Sequence, residues 1–169
     1  MTGKVYKVLF LCTGNSSRSI MSEALLTVLG RGRFQAYSAG SRPAGVVNPF
    51  AVDQIRRFDP GFLVAAMHSK SWLEFAQPGA PHMNFIITVC DRGAPETCPP
   101  SACHPTTAHW GYPDPAQGLG DDGYKREAFR RIFEQIRKRV EQFVSLPLDW
   151  LEDDSVRREA VSAIAARKL

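Results

Sequence analysis

No stretch of this chain stays apolar for the ~20 residues that a membrane-crossing helix needs. The run from Val8 to Leu11 near the start is too short for the core of a secretory signal. Together these gaps predict a soluble, cytoplasmic protein with no membrane partner. Cysteine is scarce, with only 4 in 169 residues. Without an export signal, so few argue against a disulfide framework and toward catalysis, redox chemistry or metal binding. Any long block of one charge is also missing. The formal net charge is +4, but the basic residues are scattered. Their densest cluster, Arg126 to Arg139, alternates with apolar residues at helical spacing, the pattern of a solvated helix face. That balance suits a small anionic ligand better than nucleic acid. No internal repeat is visible.

What the chain does have is 44% hydrophobic and 22% charged residues, enough to fill one core and too short to expect two. Val5 to Leu11 reads as a buried strand running into Cys12. A helix pattern follows, with Met21, Ala24, Leu25, Val28 and Leu29 on one face and Gly30 placed to end it. Phe34 to Ser38 is a second strand, closed by Ala39-Gly40. Asn48-Pro49 opens a helix carrying Val52, Ile55 and Phe58, and Ser69 can cap one carrying Trp72, Leu73 and Phe75. Phe85 to Val89 is a third buried strand, ending at Cys90. From Asp91 to Gly120 prolines stand at 95, 99, 100, 105, 113 and 115, so this part reads as a long irregular, functional loop. Phe129, Ile132, Phe133, Ile136, Val140, Phe143 and Val144 then trace a long amphipathic helix up to Pro147. The tail from Asp153 to Leu169 is acidic first and basic last, as a helix dipole prefers, with a thin apolar face that packs on the body or mediates association. Alternating strands and helices imply an α/β fold with a parallel sheet, in which ligands bind at the carboxyl ends of strands. Cys12 and Cys90 both fall at such ends.

The segment Cys12-Thr13-Gly14-Asn15-Ser16-Ser17-Arg18 puts five residues between a cysteine and an arginine at a strand-to-helix junction. A loop wrapped between those ends can turn successive backbone N–H groups inward, and the N-terminal end of the helix adds positive potential. Gly14 supplies freedom for the turn. Arg18 can grip two oxygens of a tetrahedral oxyanion in a planar, bidentate way that lysine cannot reproduce. The same field favours the thiolate of Cys12, and Ser19 can donate a hydrogen bond to its sulfur. The competing structural reading, a buried cysteine with an unrelated arginine nearby, leaves the strand-loop-helix setting unexplained.

This loop, with Leu11 before it and Ser19 after it, resembles the catalytic loop of low-molecular-weight tyrosine phosphatases and, more closely, of the arsenate reductases that share their fold. The likeness continues through Ser38-Ala39-Gly40, Val47-Asn48-Pro49, Thr88-Val89-Cys90, Cys98-Pro99 and His109-Trp110-Gly111-Tyr112-Pro113-Asp114-Pro115. It ends near Phe143 and leaves the tail after Pro147 outside. The resemblance implies a three-layer sandwich around a roughly four-stranded parallel sheet. Residues 1–146 would form the catalytic domain and 147–169 a C-terminal helical extension.

It also implies roles. Pro-Asp-Pro by itself is more often a turn than a site; the resemblance makes Asp114 the general acid that protonates the departing oxygen. Cys12 would attack arsenate, Cys90 would attack Cys12 and release arsenite, and Cys98 would take over the disulfide for an external thiol reductant, thioredoxin or glutathione with glutaredoxin. Thr13, Gly14, Asn15, Ser16, Ser17, Arg18 and Ser19 would line the oxyanion, with no tightly bound cofactor. Ser17 stands where some relatives carry another cysteine, and Cys103 is read as a spare thiol. His109 would have a structural or positioning role. Asn15, Glu23 and Ser38 resemble monovalent-cation ligands of some relatives, but a carboxylate expected after His68 is missing, and Glu23 reads more simply as a helix-surface carboxylate. Phosphotyrosine hydrolysis by the same loop and acid is the alternative function. A third is a noncatalytic thiol protein holding arsenite, or zinc through some of Cys90, Cys98, Cys103, His104 and His109.

Overall fold

A computed structural model describes residues 3–91 and 105–169. Four strands, β1 (Tyr6–Cys12), β2 (Phe34–Gly40), β3 (Phe85–Thr88) and β4 (Thr106–His109), form one sheet in the order β2-β1-β3-β4, and every pair is parallel. The helices are α1 (Arg18–Leu29), α2 (Pro49–Phe58), α3 (Asp122–Val144), α4 (Leu148–Glu152) and α5 (Asp154–Ala166). None among the described residues is long and apolar enough to cross a membrane.

Side chains alternate across β1, so its even positions point one way and its odd positions the other. Tyr6, Val8, Phe10 and Cys12 join the main core with residues of α1, α2, α3 and α5. Leu9 and Leu11 join a smaller cluster with Ala39, Met83 and Ile86, covered by Trp72 and Phe75 of a 3-10 turn, Trp72–Ala76. This is the expected α/β layering, with one thick helical layer and one thin one. Aromatic rings fill the main core: Phe143 meets Phe34, Phe85 and Trp110 with ring centroids 4.9, 5.1 and 5.6 Å away. Each large apolar side chain so buried contributes ~1.5–3 kcal/mol of transfer free energy.

Local chemistry accounts for most element ends. Asn48 accepts from the Phe50 amide at 2.9 Å to start α2, with Pro49 in its first turn. Asp121 accepts from Tyr124 N at 2.8 Å to start α3. The cap before Trp72 is Ser71, not Ser69, because Ser71 Oγ accepts from Leu73 N at 3.2 Å while Ser69 Oγ is turned to Gly14 O at 3.0 Å. Gly30 does close α1, yet in a right-handed conformation. A Cβ there would lie 2.6 Å from Leu26 O, and the left-handed turn falls on Arg31 and Gly32.

One region departs from the sequence reading, and another takes one of the two roles that reading left open. The stretch from Asp91 to Gly120 is not wholly irregular, because Thr106–His109 is the edge strand β4. Its Thr-Thr-Ala-His carries no apolar alternation, so only pairing with β3 reveals it. The tail packs on the body, one of the two roles its thin apolar face allows. Leu151, Val161 and Ile164 are buried in the main core, and Arg157 donates to Thr106 Oγ1 at 2.8 Å and Leu151 O at 2.9 Å.

Candidate active site

β1 delivers Cys12 to the carboxyl edge of the sheet, and α1 starts at Arg18. Between them the carbonyls are tied to the outside of the loop. Cys12 O accepts from Ser41 N at 3.2 Å, Thr13 O from Arg42 N at 2.9 Å, Gly14 O from Ala44 N at 2.8 Å and Ser16 O from Asn48 N at 2.9 Å. A trans peptide sets each C=O opposite the next N–H. Outward carbonyls therefore turn the amides of Thr13, Gly14, Asn15 and Ser17 to the other side, toward the hollow of the loop. The Asn15 amide accordingly donates to Cys12 Sγ at 3.2 Å.

Conformational freedom in the loop does not come from Gly14. The positive φ, 46°, belongs to Asn15, a residue type that tolerates this region, and its side chain is bonded at both ends. Its Oδ1 accepts from Lys70 N at 3.0 Å, and its Nδ2 donates to Ser19 Oγ at 2.8 Å. Because Ser19 Oγ accepts there, its own proton is available to Cys12 Sγ, 2.9 Å away. The sulfur thus has two donors aimed at it, one amide and one hydroxyl. The glycine the loop requires lies on β2: a Cβ on Gly40 would stand 2.4 Å from Thr13 O and 3.0 Å from Asn15 N. Ser17 is buried, and its Oγ has no partner among the described residues.

Arg18 is 8% exposed at the first turn of α1. Its Nη1 donates to Tyr112 O at 3.0 Å and to Asp91 Oδ1 at 3.3 Å, and its Nη2 stands 3.7 Å from Asp114 Oδ2. Asp114 both shapes a turn and faces the site. Its Oδ1 accepts from Ala116 N at 2.9 Å while Oδ2 looks toward Arg18. Cys90 lies just past β3, whose register Leu11↔Thr88 puts it next to the tip of β1. Adjacent strands run ~4.8 Å apart, so the two cysteines lie within one strand spacing plus one residue of chain. Burial pushes the Cys90 thiol above its ordinary value of 9.0, and the charge of Arg18 opposes that shift.

The structure therefore brings Cys12, Arg18, Ser19, Cys90 and Asp114 to one end of the sheet. Cys98, Cys103 and His104 lie outside the described residues. His109 points its Nδ1 at Thr88 Oγ1, 2.7 Å away, and burial, with the charge of Arg139, holds the ring below its usual pKa. Glu23 is not a plain surface carboxylate. It is half-buried and accepts from Ser38 Oγ at 2.7 Å, and burial pushes it above 4.5 while Lys70 and His68 pull the other way. Sequence reasoning missed Asp91, the Tyr112 carbonyl and the Lys70 amide. Two of these are backbone groups, for which residue type carries no signal.

Chemically, the arrangement offers a thiol beneath converging amides, a guanidinium to bind oxygens, and a carboxyl group next to it. That set suits nucleophilic attack on a tetrahedral oxyanion with proton donation to the departing oxygen.

The model of the low molecular weight phosphotyrosine protein phosphatase family matches residues 7–161, which takes the match well into the tail. The arsenate reductase of Halalkalibacterium halodurans is 33% identical over 136 residues, covering 80% of this chain and 93% of that protein. Two solved structures share the fold across 83% of this chain and 98% of theirs. One is an arsenate reductase in an oxidized state (27% identity, TM-score 0.64), the other an arsenate reductase in a phosphate-binding state (26% identity, TM-score 0.61). Matched over most of its length, the chain belongs to the low molecular weight phosphotyrosine protein phosphatase family of enzymes, alongside that family's arsenate reductases.

Proposed function

We propose that this enzyme reduces arsenate to arsenite in the cytoplasm, as a step of arsenic detoxification. The observation that carries the reading is Cys90, a second buried thiol at the neighbouring strand tip, under the influence of the same Arg18 that faces the oxyanion loop. Hydrolysis of a phosphate ester needs one thiol, since water completes the cycle. Reduction of arsenate needs two electrons, which a pair of thiols supplies by forming a disulfide.

In this reading Cys12 attacks arsenic as the thiolate, forming an S–As bond while an oxygen leaves as water with the proton of Asp114. The thiolate of Cys90 then attacks Cys12 Sγ. The S–S bond forms, the S–As bond breaks with its electron pair going to arsenic, and As(V) leaves as As(III). Cys98 attacks Cys90, which frees Cys12, and the resulting Cys90–Cys98 disulfide is reduced by thioredoxin, with glutathione and glutaredoxin as the alternative reductant. Arsenate and phosphate share charge and shape. Weak hydrolysis of aryl phosphates by Cys12 and Asp114 therefore accompanies the main reaction.

The test is a coupled assay that follows NADPH consumption with arsenate and either reductant system. Cys90→Ser should stop arsenite release and keep aryl phosphate hydrolysis. Cys98→Ser with thioredoxin should release about one arsenite per enzyme and then stall, and Cys103→Ser, made alongside, excludes a substitute thiol. Arsenate turnover by Cys90→Ser at the wild-type rate would sink the relay. Full turnover by Cys98→Ser with thioredoxin alone would remove its third thiol.

A further inference from the structure

Arg139 lies in the middle of α3, 7% exposed, and makes no ion pair among the described residues. A buried charge without a counter-charge is costly to desolvate, and here hydrogen bonds rather than an ion pair offset that cost. Its contacts show what those hydrogen bonds hold in place. Nη1 donates to Gly111 O at 3.1 Å, Nη2 donates to Ala165 O at 3.2 Å, and the guanidinium carbon stands 4.8 Å from the centre of the Tyr112 ring. Only a planar fork of donors can bridge two carbonyls while lying over an aromatic face.

The contacts with Gly111 and Tyr112 lead to the site, and the one with Ala165 leads to α5. Tyr112 O is the carbonyl that holds Arg18, and Asp114 follows two residues later. Gly111 is wedged in place from the other side, since a Cβ there would lie 2.8 Å from His109 Nε2 and 3.2 Å from Cys90 O. A second tie runs alongside, from Trp110 Nε1 to Val161 O at 3.1 Å. The two acceptors on α5, Val161 O and Ala165 O, are one helical turn apart on one face.

We propose that Arg139 is a positioning residue, which clamps the segment Trp110 to Asp114 between α3 and the C-terminal helix α5. The tail thereby sets the wall of the active site that carries Tyr112 O and Asp114. This rests on the reading of Cys12, Arg18 and Asp114 given above, though not on arsenate being the substrate.

The experiment compares the full-length wild type with Arg139→Met, Arg139→Lys and, as a control, Arg137→Met. Arg137 lies on the same helix, half-buried, and pairs with Glu134 and Glu141. Measurements are the melting temperature, kcat, KM and pH profile for arsenate, and hydrolysis of two aryl phosphates, one with a good and one with a poor leaving group. Arg139→Met leaves Gly111 O and Ala165 O without this donor and should melt at or a little below the wild-type temperature. Its kcat should nevertheless fall about 10-fold or more with KM changed less than about 3-fold, as a displaced catalytic group requires. Its pH profile should lose the limb set by the acid, and its rate should fall further for the poor leaving group than for the good one. Arg139→Lys should lie between, and Arg137→Met should match the wild type in kcat and pH profile. A folded Arg139→Met with wild-type kcat and pH profile overturns the clamp. So does a loss of activity that merely tracks a lowered melting temperature. If the wild type fails to reduce arsenate while the aryl phosphate results come out as described, the substrate assignment falls and the clamp stands.

Discussion

The two walls of the active site are built in opposite ways. The near wall, from Cys12 to Ser19, is one uninterrupted stretch of chain whose carbonyls are tied outward to the segment 41–48 and whose asparagine is bonded at both ends. The far wall gathers Cys90, Asp91, Tyr112 and Asp114 from distant parts of the chain and leans on α3 and α5 through Arg139 and Trp110. In the proposed cycle the near wall binds and attacks, a task that tolerates little movement, while the far wall supplies a proton and a second thiol that must travel. Rigidity is thus local where it serves binding, and borrowed from the rest of the fold where motion is needed.

The sharpest break in that comparison comes from the near wall. Cys12→Ser should remove both reactions at once, by more than about 10⁴-fold, because a neutral hydroxyl replaces the nucleophile and no base is bonded to it among the described residues. Phosphate should still bind to the amides and Arg18, as measured by titration calorimetry. If arsenate reduction survived in this variant, the nucleophile would have to lie on the far wall, and the division of labour would fail.

A far-wall variant sharpens the same contrast with a smaller effect. Asp114→Asn keeps an acceptor for Ala116 N and so keeps the turn, but cannot give up a proton. Loss of a general acid should lower kcat by about 10²- to 10⁴-fold, with competitive inhibition by phosphate little changed. A wild-type pH profile in this variant would take the role of acid from Asp114.

The contrast also explains what could be read from residue order. The near wall was legible because its chemistry is contiguous: a strand ending in cysteine, five small or polar residues, an arginine, then a helix. The three buried strands and the long helix α3 were legible through apolar periodicity. The edge strand β4 was not, since Thr106–His109 has neither alternation nor length and exists through its pairing with β3. Asp91 and the Tyr112 carbonyl were invisible because their meaning depends on where Arg18 ends up, 73 and 94 residues away in sequence. The sequence offers Gly14 as the source of freedom for the turn, whereas the positive φ belongs to Asn15, whose side chain has both the donor and the acceptor that tie Ser19 to Lys70.

The smallest predicted effect concerns Glu23, on the helix that follows the near wall. Its carboxyl is bonded to Ser38 on β2, and Ser38 pairs with Phe10 of β1. Burial raises the folded-state pKa of Glu23 above 4.5, so the folded protein holds this proton more tightly than the unfolded chain does. The stability linked to that proton is fully present below pH 4.5 and is lost as pH rises through the higher folded value. Glu23→Gln can keep a partner for Ser38 but has no proton to lose. Its melting temperature should therefore exceed that of the wild type near neutral pH, and the difference should shrink to nothing as the pH falls below 4.5. Thermal melts at several pH values, with kcat measured in parallel, test this. Activity should stay near wild type, because Glu23 touches neither Cys12 nor Arg18 through any hydrogen bond among the described residues. A variant less stable than the wild type at neutral pH would mean that attraction to Lys70 and His68 outweighs the cost of burial. The ionised carboxylate would then be part of what holds the near wall rigid.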